Sequence, residues 1–178
     1  MVDRTSEPRH TPDGHHLVID GRRWQATDPA IPPALAAELR SALMTARRDV
    51  AAARRTGDDP AGRDARTRVH AAKVALGERG RPWWQPPDPD ADRARIAAAI
   101  VTLVASRRPG TTCPSDVARA VGGTRWRSLM AATREIAASL VARGEVVVTQ
   151  HGERAEPPWR GPIRIGAVAE DGTGRSTP

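Results

Sequence analysis

The order of apolar periods and turn residues in residues 90–166 limits the possible folds of this chain more than any other feature. A helical apolar period comes first, a short one second and a long one third, and two β-branched segments then flank a loop. Helices bury apolar residues at every third or fourth position, whereas strands show alternation or β-branched runs. The segment therefore predicts three helices followed by two strands around a loop.

The three helices are predicted between residues 92 and 143. Asp90 or Asp92 is the expected cap of the first helix and Ser115 that of the second, because short polar side chains bind the free amides at a helix start. Two glycines end the short second helix, and the third is expected over residues 124–143. The positions expected to be buried are Ile96, Ile100, Leu103, Val104, Val117, Ala118, Val121, Leu129, Met130, Ile136, Ala137, Leu140 and Val141.

Two strands are predicted after the third helix. Residues 145–150 are rich in β-branched side chains, and residues 163–165 alternate as a partner strand would. The loop between these strands is too long for a tight turn and contains Arg154 and Arg160. A short helix, a glycine turn, a long helix and a strand, loop and strand make up a winged helix-turn-helix, a common DNA-binding module. We therefore expect a winged helix over residues 92–166.

The basic charge of the chain is concentrated in this same segment. The formal net charge is +7, and residues 92–166 contain 12 basic but only 6 acidic side chains. All basic residues except Lys73 are arginine, which suits phosphate recognition but also results from the codon usage of a high-GC genome. We expect the third helix and the loop to bind double-stranded DNA, mainly at phosphates, with one arginine able to read guanine through a bidentate pair. The predicted DNA-binding residues are Arg125, Arg127, Ser128, Arg134, Arg154 and Arg160.

The first half of the chain predicts a separate module made of a β-hairpin and a helical hairpin. Asp20 and Gly21 lie between two short apolar segments, and this dipeptide tolerates the positive φ angles of a type I′ turn. Apolar spacings of three and four predict one helix over residues 34–55 and another over residues 63–78. Their short connection makes them antiparallel neighbours. Both stripes are rich in alanine, so this hairpin needs the strands, the tryptophans or another chain to complete its core.

Composition predicts where the modules begin and end. Residues 85–91 are rich in proline, which disfavours helix and makes this segment the expected linker. Both chain ends lack apolar periodicity and are expected to be disordered. In order, the predicted segments are a disordered tail (1–15), the hairpin module (16–84), the linker (85–91), the winged helix (92–166) and a second disordered tail (167–178).

Several short motifs in the second half resemble a known family. They are CPSDVARA at residues 113–120, WRSLM at 126–130, VTQHG at 148–152 and RGPIR at 160–164. In this order they resemble a bacterial domain-of-unknown-function family with a winged-helix fold. The resemblance implies the fold over about residues 92–166 and brings no known activity with it.

The first half resembles a second group of proteins. Residues 20–24 (DGRRW) and 75–84 (ALGERGRPWW) are similar to small actinobacterial proteins, some of which are labelled biopolymer transporters. Transport requires a membrane span or anchor, and the sequence has no apolar run that approaches 18 residues. We therefore expect no membrane association.

The sequence lacks the patterns of common enzymes and metal sites. It has no Walker loop, no nucleophile elbow and no zinc-protease motif. His15 and His16 are adjacent but have no cysteine or carboxylate partner at zinc spacing. Cys113 is the only cysteine, which excludes an intramolecular disulfide and suits a reducing cytoplasm. An apolar N-terminal segment is also absent, so we expect a cytoplasmic protein. Because the catalytic and metal-binding patterns are missing, we expect that it is not an enzyme and has no metal or cofactor.

An alternative function class remains open at this point. In it, the protein is an adaptor whose winged helix docks on another protein, and the arginines only keep it soluble. In either case the N-terminal module is expected to supply a homodimer interface or a surface for a protein partner. Trp126 is expected in the core between the second and third helices, and Trp83 and Trp84 are expected to cover the helical hairpin.

Overall fold

The N-terminal strands form a small antiparallel sheet in the computed structural model, which describes residues 9–169. Its strands are β1 (Arg9–His10), β2 (His16–Ile19) and β3 (Arg22–Gln25), in the order β1-β2-β3. The φ angles of Asp20 and Gly21 are +49° and +73°, which confirms the predicted hairpin with two turn residues of positive φ. β1 pairs with β2, although it lies in the segment predicted to be a disordered tail. The rest of that predicted tail, residues 1–8, lies outside the described residues.

Two antiparallel helices follow, α1 (Pro33–Thr56) and α2 (Asp59–Ala75). Their direction is fixed by neighbours near the connection, where Gly62 packs on Ala53, and by the ion pair of Arg68 with Asp49 further along. α2 begins four residues before its predicted start, because the carboxylate of Asp58 accepts a hydrogen bond from the Ala61 amide at 2.9 Å and caps it.

Residues 89–169 contain three α-helices, a 3-10 helix and four short strands. They are α3 (Pro89–Ser106), β4 (Thr111–Thr112), α4 (Pro114–Gly122), the 3-10 helix Gly123–Leu129, α5 (Met130–Ala142), β5 (Val146–Gln150), β6 (Glu153–Arg154) and β7 (Arg164–Ala167). The strands form an antiparallel sheet in the order β4-β7-β5-β6. The described chain is therefore mainly α with small β elements, as predicted.

The helix starts differ from those read in the sequence. Asp88, and neither Asp90 nor Asp92, caps α3 by accepting a hydrogen bond from the Ala91 amide at 2.8 Å. Consequently α3 begins at Pro89, inside the segment predicted as linker. Ser115 does not cap α4 either, since the N-cap position belongs to the half-buried Cys113.

The predicted third helix is divided into two parts. The chain winds as a 3-10 helix before the α-helix begins at Met130, because Gly123 has a φ of +52° and ends α4 with a sharp change of direction. A Cβ atom at Gly123 would lie 2.9 Å from the Cβ atom of Ala30. A glycine is therefore required where this turn meets the N-terminal half.

Buried apolar side chains from both halves form one continuous cluster around α3. This helix buries Ile96, Ile100 and Leu103 completely, and it packs against α1, α2, α4 and α5. The alanine-rich helical hairpin thus completes its core against α3. Most of the apolar positions predicted to be inside are buried, and Met130 and Val141 are half-buried at the edge of the cluster.

Polar contacts also join the two halves beside α3. The Arg95 guanidinium donates to the Asp28 carboxylate at 2.7 Å and to the Ala75 carbonyl oxygen at 3.2 Å. Arg107, at the end of α3, donates to Glu38 of α1 and to Asp116 of α4, both at 2.8 Å. These contacts connect the helical hairpin to the C-terminal elements.

The tandem tryptophans pack where the β2–β3 hairpin begins and ends, and Trp83 also lies close to Gly77, just after α2. Trp83 donates from its indole nitrogen to the Ala26 carbonyl oxygen at 2.9 Å. Trp84 stacks on His15 with ring centroids 4.3 Å apart, and its edge meets His16. The aromatic cluster therefore closes the β-hairpin against the segment between α2 and α3.

Candidate nucleic-acid interface

Arg134 connects α5 to the loop between β6 and β7. Its guanidinium donates to the carbonyl oxygens of Trp159 at 2.8 Å and Gly161 at 3.2 Å. The side-chain amide of Gln150 donates to the carbonyl oxygen of Arg160, which lies between these two residues. The loop is thereby held beside α5, with the Arg160 side chain exposed to solvent.

Trp159 anchors the same loop from within. Its indole nitrogen donates to the Ala155 carbonyl oxygen at 3.0 Å, and its ring packs against the hydrophobic core. Because Trp159 is fixed by packing and Arg134 fixes its carbonyl group, the position of the loop is set from both sides. Arg134 and Trp159 are 25 residues apart in the chain, so their contact cannot be read from the sequence.

Trp126 supports two arginines at the junction of α4 and the 3-10 helix. The guanidinium carbons of Arg119 and Arg127 lie 4.4 Å and 4.6 Å from the centroid of its ring, within the range of cation–π contacts. Trp126 is half-buried against the core, so the predicted core position is reached only in part. The sequence does not single out Arg119, because its proximity to Trp126 depends on the turn at Gly123.

Arg125 and Ser128 make contacts within the protein. Arg125 forms a two-pronged pair with Asp92 of α3, at 2.7 Å and 2.8 Å. These hydrogen bonds to the Asp92 carboxylate raise the pKa of Arg125. Ser128 donates from its hydroxyl to the Arg125 carbonyl oxygen at 2.8 Å. Arg125 therefore joins the 3-10 segment to α3, and Ser128 closes one turn within that segment.

Arg154 lies on β6 and remains open to solvent. Its nearest carboxylate is that of Glu156 at 3.4 Å, and the two side chains are 69% and 65% exposed. An ion pair this exposed contributes little and is easily exchanged for another anion. Three predicted residues, Arg127, Arg154 and Arg160, therefore present exposed guanidinium groups; we call them the outer arginines.

The solvent-exposed face of α5 is made mostly of small side chains. Ala131, Ser139 and Ala142 are exposed there, together with Glu135, whose carboxylate pairs with Arg93 of α3 at 3.0 Å. Small side chains leave the helix backbone accessible to a groove, and the ion pair offsets the negative charge of Glu135.

Neither a metal cluster nor a membrane-spanning helix is found in residues 9–169. In this range, no group of three or more histidine, cysteine, aspartate or glutamate side chains is placed to hold a metal ion. The helices of the same range do not combine the length and hydropathy needed to cross a lipid bilayer.

The C-terminal half of the chain is similar to a known protein family. Residues 93–168 match the model of a family described as "Protein of unknown function (DUF3253)". This confirms the similarity of the C-terminal half to a domain-of-unknown-function family. The match begins within α3 and ends after β7, so the resemblance noted for residues 20–24 and 75–84 stays a prediction. No curated protein matches the chain.

Proposed function

We propose that residues 89–169 form a winged helix-turn-helix domain that binds double-stranded DNA. The proposed role is regulatory or nucleoid-associated, in the cytoplasm, and it requires binding without catalysis. The observation that carries the proposal is the attachment of the loop to α5 through Arg134, which binds the backbone carbonyl groups on both sides of Arg160.

The order of the elements supports the winged-helix assignment. α3, β4, α4 and α5 are followed by β5 and β7, and β7 pairs with both β4 and β5 in a sheet beside the helices. In winged helices, the last helix lies in the major groove and the loop between the last two strands lies along the neighbouring backbone. In this chain, α5 and the loop held by Arg134 would take these two roles.

The contacts within the protein divide the predicted residues into two groups. The outer arginines have exposed guanidinium groups, so the proposal assigns them to phosphates or groove edges. Arg119 joins them as a further candidate, since it shares the ring of Trp126 with Arg127. Arg125, Ser128 and Arg134 are assigned positioning roles because their polar groups already have partners.

The adaptor alternative requires a docking face on the C-terminal half. Protein-docking surfaces present contiguous exposed apolar groups. Of the large hydrophobic side chains that are exposed in residues 9–169, Ile19, Trp24 and Met44 belong to the N-terminal half, and Val168 lies beyond β7. The solvent face of α5 has none of them, which favours a polar, charged partner for this surface.

The experiment is a titration of fluorescent duplex DNA with the full chain, followed by anisotropy at several salt concentrations. If about five phosphates are neutralised, log affinity should fall against log salt with a slope of about −4 to −5. A single strand of the same length serves as the comparison ligand. Saturable binding with a steep slope supports the proposal, whereas a slope near zero or no binding at low salt contradicts it.

A further inference from the structure

An open groove lies between the β2–β3 hairpin and the outward face of α1. Its volume is about 670 Å³, and we call it the hairpin groove. Ile19, Trp24 and Met44 line it and are 42%, 45% and 40% exposed. Most of the large hydrophobic side chains that residues 9–169 expose are thus gathered in one concave place. Contiguous exposed apolar groups with a polar rim mark interaction surfaces.

The rim of the hairpin groove is cationic. Its basic residues are Arg22, Arg40, Arg47 and Lys73. Within residues 9–169, none of these four side chains forms a salt bridge, in contrast to the arginines around α3. Asp20 and Glu78 supply the acidic groups of the lining, so positive charge is in excess.

Two of the cations rest on the apolar side chains. The ammonium group of Lys73 lies 5.1 Å from the centroid of the Trp24 ring, and a guanidinium nitrogen of Arg47 lies 4.0 Å from the sulfur of Met44. Partial burial lowers the pKa of Lys73. A carboxylate of a bound partner would stabilise the charged form of this lysine. An apolar side chain of the same partner would contact Trp24 beside it.

We propose that the hairpin groove binds an acidic amphipathic segment of another protein. The apolar side chains of that segment would contact Trp24, Ile19 and Met44, and its carboxylates would pair with Arg40 and Arg47. This is the helix-in-groove mode of peptide recognition. The proposal concerns a surface separate from the proposed DNA interface and does not depend on it.

Charge and polarity distinguish this occupant from two others. A nucleic acid presents phosphates to cations, and its interfaces are polar, so three exposed apolar side chains in the floor would gain nothing. A second copy of this chain would present the same cationic rim, and a two-fold contact would place like charges opposite one another. An acidic segment with an apolar face satisfies both the rim and the floor.

The test uses the full chain and a fluorescent helical peptide with leucine on one face and glutamate on the other. Its controls are a scrambled peptide of the same composition and a version with lysine in place of glutamate. We expect saturable binding of the first peptide only. Arg47→Glu should weaken it by about tenfold, since a paired charge becomes a like charge.

Arg48→Glu is the matched control variant. Arg48 is the next residue on α1, and its side chain is also exposed. Its guanidinium donates to the hydroxyl of Thr45, which lies outside the groove. It should bind the peptide like the unaltered chain. Equal weakening by Arg47→Glu and Arg48→Glu would overturn the proposal, because long-range charge alone would then explain binding.

Three further measurements give the remaining outcomes. Methyl NMR should show peptide-induced shifts at Ile19 and Met44, and shifts confined to Val168 would overturn the proposal. A duplex oligonucleotide that loses affinity in Arg47→Glu as strongly as the peptide would reassign the groove to nucleic acid. A dimer that Met44→Glu converts to a monomer would reassign it to self-association.

Discussion

Arginines around α3 and arginines on the outer surface of the C-terminal half have different physical roles. Arg95, Arg107 and Arg125, which we call the inner arginines, each donate to a carboxylate at 2.7 or 2.8 Å. The outer arginines have exposed side chains, and the nearest carboxylate to any of them is 3.4 Å away, at Arg154. In the described chain, net charge therefore overstates the cationic surface that is free for a partner, because the inner arginines are already neutralised.

Four variants are expected to lower the stability of the chain to different degrees, from the largest effect to the smallest. Arg95→Met should have the largest effect, because it leaves the Asp28 carboxylate buried without its cation. The side chains of this pair are only 13% and 7% exposed. We expect the free energy of unfolding, measured by chemical denaturation, to fall by about 3–5 kcal/mol.

Arg68→Met is the control for this first variant. It removes the partner of Asp49 in an ion pair whose side chains are 47% and 43% exposed. Such a surface pair contributes no more than about 1 kcal/mol. Equal losses in Arg95→Met and Arg68→Met would remove the distinction between inner and surface pairs.

Gly123→Ala should have the second largest effect. An alanine at position 123 would have an unfavourable positive φ. Its methyl carbon would lie 2.9 Å from the Cβ atom of Ala30. We expect a loss of about 2–4 kcal/mol in the free energy of unfolding. Gly144→Ala has a similar φ of +70° but open space around it, so it should lose only about 1 kcal/mol.

A second substitution separates crowding from backbone strain at this turn. Ala30→Gly removes the Cβ atom that the new methyl group would meet. In the Gly123→Ala background it should therefore recover part of the lost stability, as measured by the same denaturation. No recovery would assign the loss to the positive φ and to the Ala30 carbonyl oxygen, which the new Cβ atom would still approach to 3.0 Å.

Arg134→Ala should have an intermediate effect that is local to the loop. It releases the carbonyl oxygens of Trp159 and Gly161, at an expected cost of about 1 kcal/mol because the bonds are partly exposed. Amide hydrogen exchange should rise in residues 151–162 and stay unchanged in α3. Arg134→Lys should restore little, since one ammonium group cannot bind two separated carbonyls like a guanidinium fork.

Arg127→Ala combined with Arg160→Ala should have the smallest effect on folding. Both side chains are exposed, and the contact of Arg127 with the Trp126 ring is the only side-chain interaction that the described structure shows for the pair. We expect the free energy of unfolding to change by no more than about 0.5 kcal/mol. A loss as large as that of Arg95→Met would mean that the outer arginines are structural as well.

The sequence predicted the elements whose signals are local. Apolar spacing gives α1 and α3 with their buried faces, and the Asp20-Gly21 dipeptide gives the first hairpin. Each of these patterns depends on neighbours within a few residues, so no tertiary information is needed to find them.

The roles of individual arginines could not be predicted in this way. Arg125 and Asp92 are 33 residues apart, and Arg134 is 25 residues from the carbonyl group that it binds most closely. Which guanidinium groups are paired depends on how α3, α5 and the loop pack. Inner and outer positions are both occupied by arginine. From the sequence alone, Arg125 and Arg134 therefore fall into the same group as Arg127 and Arg160.

Two double variants in the duplex DNA titration show directly whether the outer arginines bind DNA. One variant replaces Arg127 and Arg160 with alanine. The other replaces Arg48 and Arg63 with alanine; these are exposed arginines on α1 and α2. Both variants lower the net charge equally. If the outer arginines bind DNA, the first variant should lose about 1–3 kcal/mol of binding free energy and the second almost none. Equal affinities of the two variants would contradict the account, because total charge and not the outer arginines would then determine binding.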